Sequence, residues 1–145
     1  MRDMKIALGA DHGGYELKEA IKKLLDKRGI PFEDFGCHNS ESCDYPIYGK
    51  LVAEAVSDGS FTRGILVCGS GIGMSIVANK IKGIRAALCW NLETATSART
   101  HNNSNILCLG QRQLDMDLAL QMVNVWLDSE FEGGRHKRRV ENIEG

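Results

Sequence analysis

Apolar residues in this chain fall into two alternating patterns. The first is a set of short continuous runs: Lys5 to Ala10 (KIALGA), Ile30 to Phe35 (IPFEDF), Ile65 to Val67, Arg85 to Cys89 and Asn105 to Gly110. Runs of this length, bounded by glycine and polar residues, predict strands. The second pattern has helical spacing. Leu17, Ala20, Ile21, Leu24 and Leu25 fall at i, i+3, i+4, i+7 and i+8, ahead of a stop at Gly29. Asp44 and Pro46 open a second helix carrying Ile47, Leu51, Val52, Ala55 and Val56. Met74, Ile76, Val77 and Ile81 mark a third, closed by Gly83, and Thr94 to Arg99 a short fourth. Leu114 to Trp126 forms a fifth. From Glu130 onward the chain is polar and basic, with no evident core face.

Five strands alternate with helices, and most strands are apolar throughout instead of at every second position. A strand buried on both faces reads this way, so the pattern predicts a parallel sheet covered by helices on both sides. The expected fold is a single doubly wound, Rossmann-like αβα domain over residues 1–145 with a five-stranded parallel sheet. Pro31 suits an edge strand.

Composition adds boundaries. The 145 residues are 43% hydrophobic and 26% charged, with a formal net charge of −1. Such a chain can bury a core, and its balance gives no electrostatic reason to expect nucleic acid or an anionic membrane as partner. No apolar run approaches the roughly 20 residues of a membrane span. The N-terminal MRDMKIALGADHGG lacks the form of a secretory signal. Five cysteines in irregular spacing, several in strand-like runs, read as reduced thiols of a cytoplasmic protein.

The densest chemistry lies at Cys68-Gly-Ser-Gly-Ile-Gly-Met-Ser75. A strand ends in a thiol, alternating glycines follow, and a helix begins. Glycines admit a ligand close to backbone N–H groups, and the helix N-terminus adds partial positive charge. Met74 stands where a dinucleotide fingerprint needs its third glycine and where a cysteine phosphatase needs arginine. No Gly-Lys-Ser/Thr closes a nucleotide loop. Asp11 and His12 end the first strand and should face the same crevice. His101 and Asn102 precede the fifth strand, so they belong at the opposite end of the sheet. They form either a surface turn or a contribution to a neighbouring subunit. Arg135 and Arg139, four apart in a basic run, would share a helix face and could clamp a phosphate, with Arg112 as a third cation. Cys37, His38 and Cys43 lack metal-ligand spacing, and no metal is expected.

Taken together, these segments resemble the family of type B ribose-5-phosphate isomerases, which also holds galactose-6-phosphate and allose-6-phosphate isomerases. The resemblance rests on Lys5-Ile-Ala-Leu-Gly-Ala-Asp-His-Gly-Gly14, Ser42-Cys-Asp-Tyr-Pro46 and Val67-Cys-Gly-Ser-Gly-Ile-Gly-Met-Ser75. It continues through Asn79-Lys80, Gly83-Ile-Arg-Ala86, Arg99-Thr-His-Asn-Asn-Ser-Asn105 and Glu132-Gly-Gly-Arg-His136. It implies Cys68 as the base that moves a proton between C1 and C2. One branch of the family uses a loop glutamate instead, and here Ser75 occupies that position. The backbone amides of Gly69, Gly71, Ile72, Gly73, Met74 and Ser75 would stabilise an enediolate. Ser70, His101, Tyr45 and Asp11 would serve ring opening and hydroxyl binding, with Asn102 alongside. His12, Arg112, Arg135 and Arg139 would hold the phosphate. The resemblance also implies a homodimer with shared sites.

The chemistry agrees with this implication. Aldose–ketose isomerisation needs a base over the C1–C2 edge, donors for the developing oxyanion and cations for a remote phosphate. No cofactor is required. The expected activity is interconversion of D-ribose 5-phosphate and D-ribulose 5-phosphate. The same chemistry on allose or galactose 6-phosphate is the near alternative, and a non-catalytic phosphate- or nucleotide-binding module the distant one.

Overall fold

The computed structural model describes residues 4–145. The N-terminal reading above draws partly on residues 1–3, which lie outside them. Five parallel strands, β1 (Ile6–Ala10), β2 (Phe32–Asp34), β3 (Arg63–Cys68), β4 (Ala86–Leu88) and β5 (Ile106–Gly110), form one sheet in the order β2-β1-β3-β5-β4. The three central strands β1, β3 and β5 are the continuous apolar runs, buried almost throughout. The two edge strands are short, and Pro31 immediately precedes one of them.

Helices α1 (Tyr15–Arg28), α4 (Leu92–Thr100) and α5 (Met116–Asp128) cover one face, around Leu17, Ile21, Leu25, Met122 and Trp126. Helices α2 (Tyr45–Ser57) and α3 (Ile72–Asn79) cover the other, around Val52, Val56, Met74 and Ala78. The arrangement is the expected Rossmann-like αβα domain. Neighbouring strands β1 and β3 launch helices on opposite faces, which opens a crevice beyond their carboxyl ends. Among the described residues no helix is long and apolar enough to cross a membrane.

One expectation fails. The polar tail carries a sixth helix, α6 (Arg135–Glu144), which buries His136 and Val140. Its core face is narrow and begins with a histidine, so an apolar periodicity never develops. The helix is anchored by an ion pair between Glu144 and Arg85, just before β4.

Candidate active site

Three loops meet at the carboxyl ends of β1, β3 and β5. Asp11 follows β1, and its Oδ1 accepts a hydrogen bond from the Gly13 amide at 2.9 Å, capping a 3-10 turn over His12–Gly14. A Cβ placed on Gly13 would lie 3.1 Å from the Gly69 nitrogen, so this turn abuts the glycine loop directly. The loop after β5 closes the third side, with the Arg112 amide donating to the Gly69 carbonyl at 3.0 Å.

Cys68 ends β3 and is 5% exposed. The Gly71 amide donates to its Sγ at 3.1 Å. That geometry has the backbone of Gly71 in the left-handed region (φ 79°), where a side chain is disfavoured, and Gly71 is also the N-cap that precedes α3. The sulfur, its N–H donor and the helix N-terminus therefore share one small volume. The Arg112 guanidinium lies over Gly69, 2.8 Å from where a Cβ would stand, and the Tyr45 ring covers Gly73 at 2.6 Å by the same measure. His12 is oriented from outside the loop, its Nδ1 accepting from the Cys43 amide at 3.2 Å. Ser70 Oγ accepts from the Ile72 amide at 3.2 Å, and Ser75 Oγ donates to the Ile72 carbonyl at 2.8 Å. Met74 is fully buried against the sheet, so only its backbone faces the loop, whereas Ile72 is exposed.

Three of the other cysteines, Cys37, Cys89 and Cys108, are unsuited to proton transfer. Burial, reinforced by neighbouring Cys43, pushes the Cys37 thiol up to about 11, and burial pushes Cys89 to about 11. Cys108, wholly enclosed, is raised well above the ordinary thiol range by burial and by Cys68 and Cys89. These three remain protonated at neutral pH and offer no thiolate.

The remaining predicted residues are elsewhere. His101 caps the C-terminus of α4, ahead of β5, and so lies at the amino end of the sheet, whereas Cys68 pairs with Gly110 at its carboxyl end. About 16 Å of strand separates those ends. Buried Arg99 shapes the intervening turn by donating to the Asn103 side chain and the Ser104 carbonyl. Asn102 borders a cleft of about 600 Å³ shared with Asn79, Arg85 and Glu144. Arg135 and Arg139 lie in the first turns of α6, the helix whose His136 stacks on His101. Within one chain the thiol, glycine loop, Asp11, His12, Tyr45 and Arg112 come together, and His101, Asn102, Arg135 and Arg139 do not join them. The sequence reading passed over His136, which stacks on His101 with ring centroids 4.3 Å apart. Its only sequence signal is a histidine four residues after Glu132.

Comparison with known proteins adds to this geometry. The family model described as Ribose/Galactose Isomerase matches residues 6–143. Ribose-5-phosphate isomerase B of Escherichia coli is 47% identical over 139 residues, covering 96% of this chain and 93% of its own length. A solved structure of the Clostridium thermocellum ribose-5-phosphate isomerase B superimposes with a TM-score of 0.96 at 55% identity, covering 97% and 95% of the two chains. Ribose-5-phosphate isomerase B from Mycoplasma genitalium, solved with bound ribulose-5-phosphate, gives 0.95 at 38% identity, covering 99% and 96%. With the fold, the loop and these likenesses in agreement, the chain belongs to the ribose/galactose isomerase family of sugar phosphate isomerases.

Proposed function

We propose that the chain interconverts D-ribose 5-phosphate and D-ribulose 5-phosphate through an enediolate, with Cys68 as the base. The observation that carries this reading is the Cys68 thiol set beneath the Gly71 amide, between Arg112 and Tyr45. Cys68, as thiolate, removes the C2 proton of the open-chain aldose. Electrons move onto the C1 oxygen, giving an enediolate; the O2 hydroxyl proton passes to O1, and the same sulfur returns its proton to C1 as the C2 carbonyl forms, yielding the ketose. Loop N–H groups face the oxygen where charge develops; each such donor is worth on the order of 10²–10³-fold in rate. Arg112 and His12 border the loop on the side available to a phosphate.

The full site is shared between two copies of the chain. Tyr45, Ile47 and Leu51 on α2 and Ile72 and Ile76 on α3 form an exposed apolar face at the loop's rim, with Ile47 55% and Ile76 57% exposed. A second copy covering that face would exclude water from the loop. It would supply the His101, Asn102, Arg135 and Arg139 that one chain holds at its far end. His101 would then assist ring opening and the two arginines would take the phosphate. We place the enzyme in the cytoplasm, a reading supported by five cysteines that are free thiols.

The test is a coupled assay of turnover on ribose 5-phosphate against allose and galactose 6-phosphates. The expected result is the highest kcat/KM on the five-carbon substrate. Preference for a six-carbon substrate would reassign the specificity, and no turnover on any would leave a binding module.

A further inference from the structure

Three potential metal ligands that the isomerisation does not bring together as a set converge where α4 meets the start of α6. The Glu132 amide donates to the Thr100 carbonyl at 3.0 Å, tying this residue to the end of α4. The Gly133-Gly134 turn, with positive φ at both residues, then folds the chain so that His136 comes back beside Glu132. His101 Nε2 lies 3.9 Å and His136 Nε2 3.6 Å from the same carboxylate oxygen, Oε1 of Glu132. All three donor atoms fall within 4.8 Å of one another. Both separations are too long for hydrogen bonds. They are close to the edge of a tetrahedral zinc shell, where bonds of about 2.0–2.1 Å place neighbouring ligand atoms roughly 3.3 Å apart.

We propose that His101, Glu132 and His136 form a three-ligand site for a zinc-class transition dication, and that its occupancy inhibits the enzyme by withdrawing His101 from substrate. Two imidazoles and a carboxylate are a donor set that zinc takes with a fourth position left to water. His136 is buried at the start of α6, and the half-exposed His101 ring, stacked within 12° of parallel to it, turns to aim its Nε2 at the ion. The positive charge of Arg135 and Arg139 on the same helix opposes a dication. The Glu132 carboxylate offsets part of that opposition, which makes the site exchangeable instead of structural. The inhibitory half rests on the ring-opening role proposed for His101, and the binding half does not.

Isothermal titration of the full chain with zinc chloride alone, in phosphate-free buffer, tests the site. A single zinc per chain is expected. Glu132→Gln, at a largely exposed position that should fold, should weaken uptake at least roughly tenfold. Cys37→Ser with Cys43→Ser should leave it intact. In parallel, ribose 5-phosphate turnover is followed with each variant scaled to its own metal-free rate, and zinc should inhibit the parent chain but not Glu132→Gln. Absence of zinc uptake, or uptake that Glu132→Gln does not change, overturns the site. Zinc uptake through these ligands without inhibition overturns the regulatory half. A chain that takes zinc as described yet isomerises nothing would sink the proposed activity and leave the binding site standing.

Discussion

The Gly71 N–H points at the Cys68 sulfur from 3.1 Å, and Gly71 is at once the hydrogen-bond donor and the N-cap of α3. The thiol is thereby fixed against the mouth of the loop before any substrate arrives. In the proposed reaction, negative charge on this sulfur would meet a donor already in place, so that little reorganisation would be needed.

Replacing Cys68 with alanine removes the proposed base and leaves the loop amides, Arg112 and His12 where they are. Turnover should fall by roughly 10²–10⁴-fold, the usual contribution of a positioned general base, with KM changed little. Steady-state kinetics on ribose 5-phosphate check this, and near-normal kcat would remove Cys68 from the mechanism.

Two glycine substitutions separate architecture from chemistry. A Cβ on Gly110 would stand 2.5 Å from the Ser70 carbonyl carbon and oxygen, so Gly110→Ala must push the glycine loop off β5. Gly29, the left-handed residue that ends α1 at φ 69°, has open space around it. Gly29→Ala should therefore cost about 1–2 kcal/mol of stability and leave kcat intact. Gly110→Ala should lower kcat out of proportion to its effect on thermal unfolding. Equal activity losses in the two variants would show that the loop position is not critical.

These glycines also mark what was legible in the sequence. Ile6–Ala10 and Ile65–Val67 announce buried parallel strands because both of their faces are covered and the whole run must be apolar. The loop after Cys68 is visible because alternating glycines serve close backbone approach. Arg112 over Gly69, by contrast, follows from two distant loops meeting, which no local pattern encodes. Helix α6 escapes notice because RHKRRVENIE offers one buried apolar residue, Val140, and spends its other buried position on His136. The stacking of His136 on His101 needs the tertiary fold, since 34 residues of strand, helix and turn lie between them.

Asp34 supports the fold beneath the site. It ends β2 and accepts from Lys18, fully buried, at 2.5 Å and from Lys22 at 2.9 Å. Burial alone would raise its carboxyl. The two ammonium groups and the Gly36 amide outweigh burial, and the group sits below the usual aspartate range. A carboxyl lowered on folding contributes stability above its unfolded pKa, near 4, and that contribution is lost as pH falls through the folded value. Asp34→Asn leaves the buried Lys18 ammonium with Glu19, 3.3 Å away, as its ion-pair partner and should destabilise the chain by about 1.5–3 kcal/mol at neutral pH. It should also flatten the acid limb of the stability–pH curve below about pH 4. Urea unfolding across that range measures both, and an unchanged acid limb would show the pairing to be energetically idle.

The separation of Cys68 from His101 and Arg135 within one chain leads to the most discriminating experiment. On the proposed reading, Cys68→Ala and His101→Ala would each disable every site in their own homodimers. If sites are shared, a heterodimer of the two has one site lacking both groups and one site complete. Random reassortment at equal concentrations makes half of the dimers mixed, so about a quarter of parental activity should return on co-refolding. Arg135→Ala mixed with Cys68→Ala should behave the same way, with the parental KM restored in the active fraction. Ile76→Lys, placed on the exposed apolar face of α3, should block the rescue by preventing association, and sedimentation would show the smaller particle. Failure of rescue from chains that demonstrably exchange would mean that His101 acts away from the glycine loop. Its pairing with His136 and Glu132 would then be its main role.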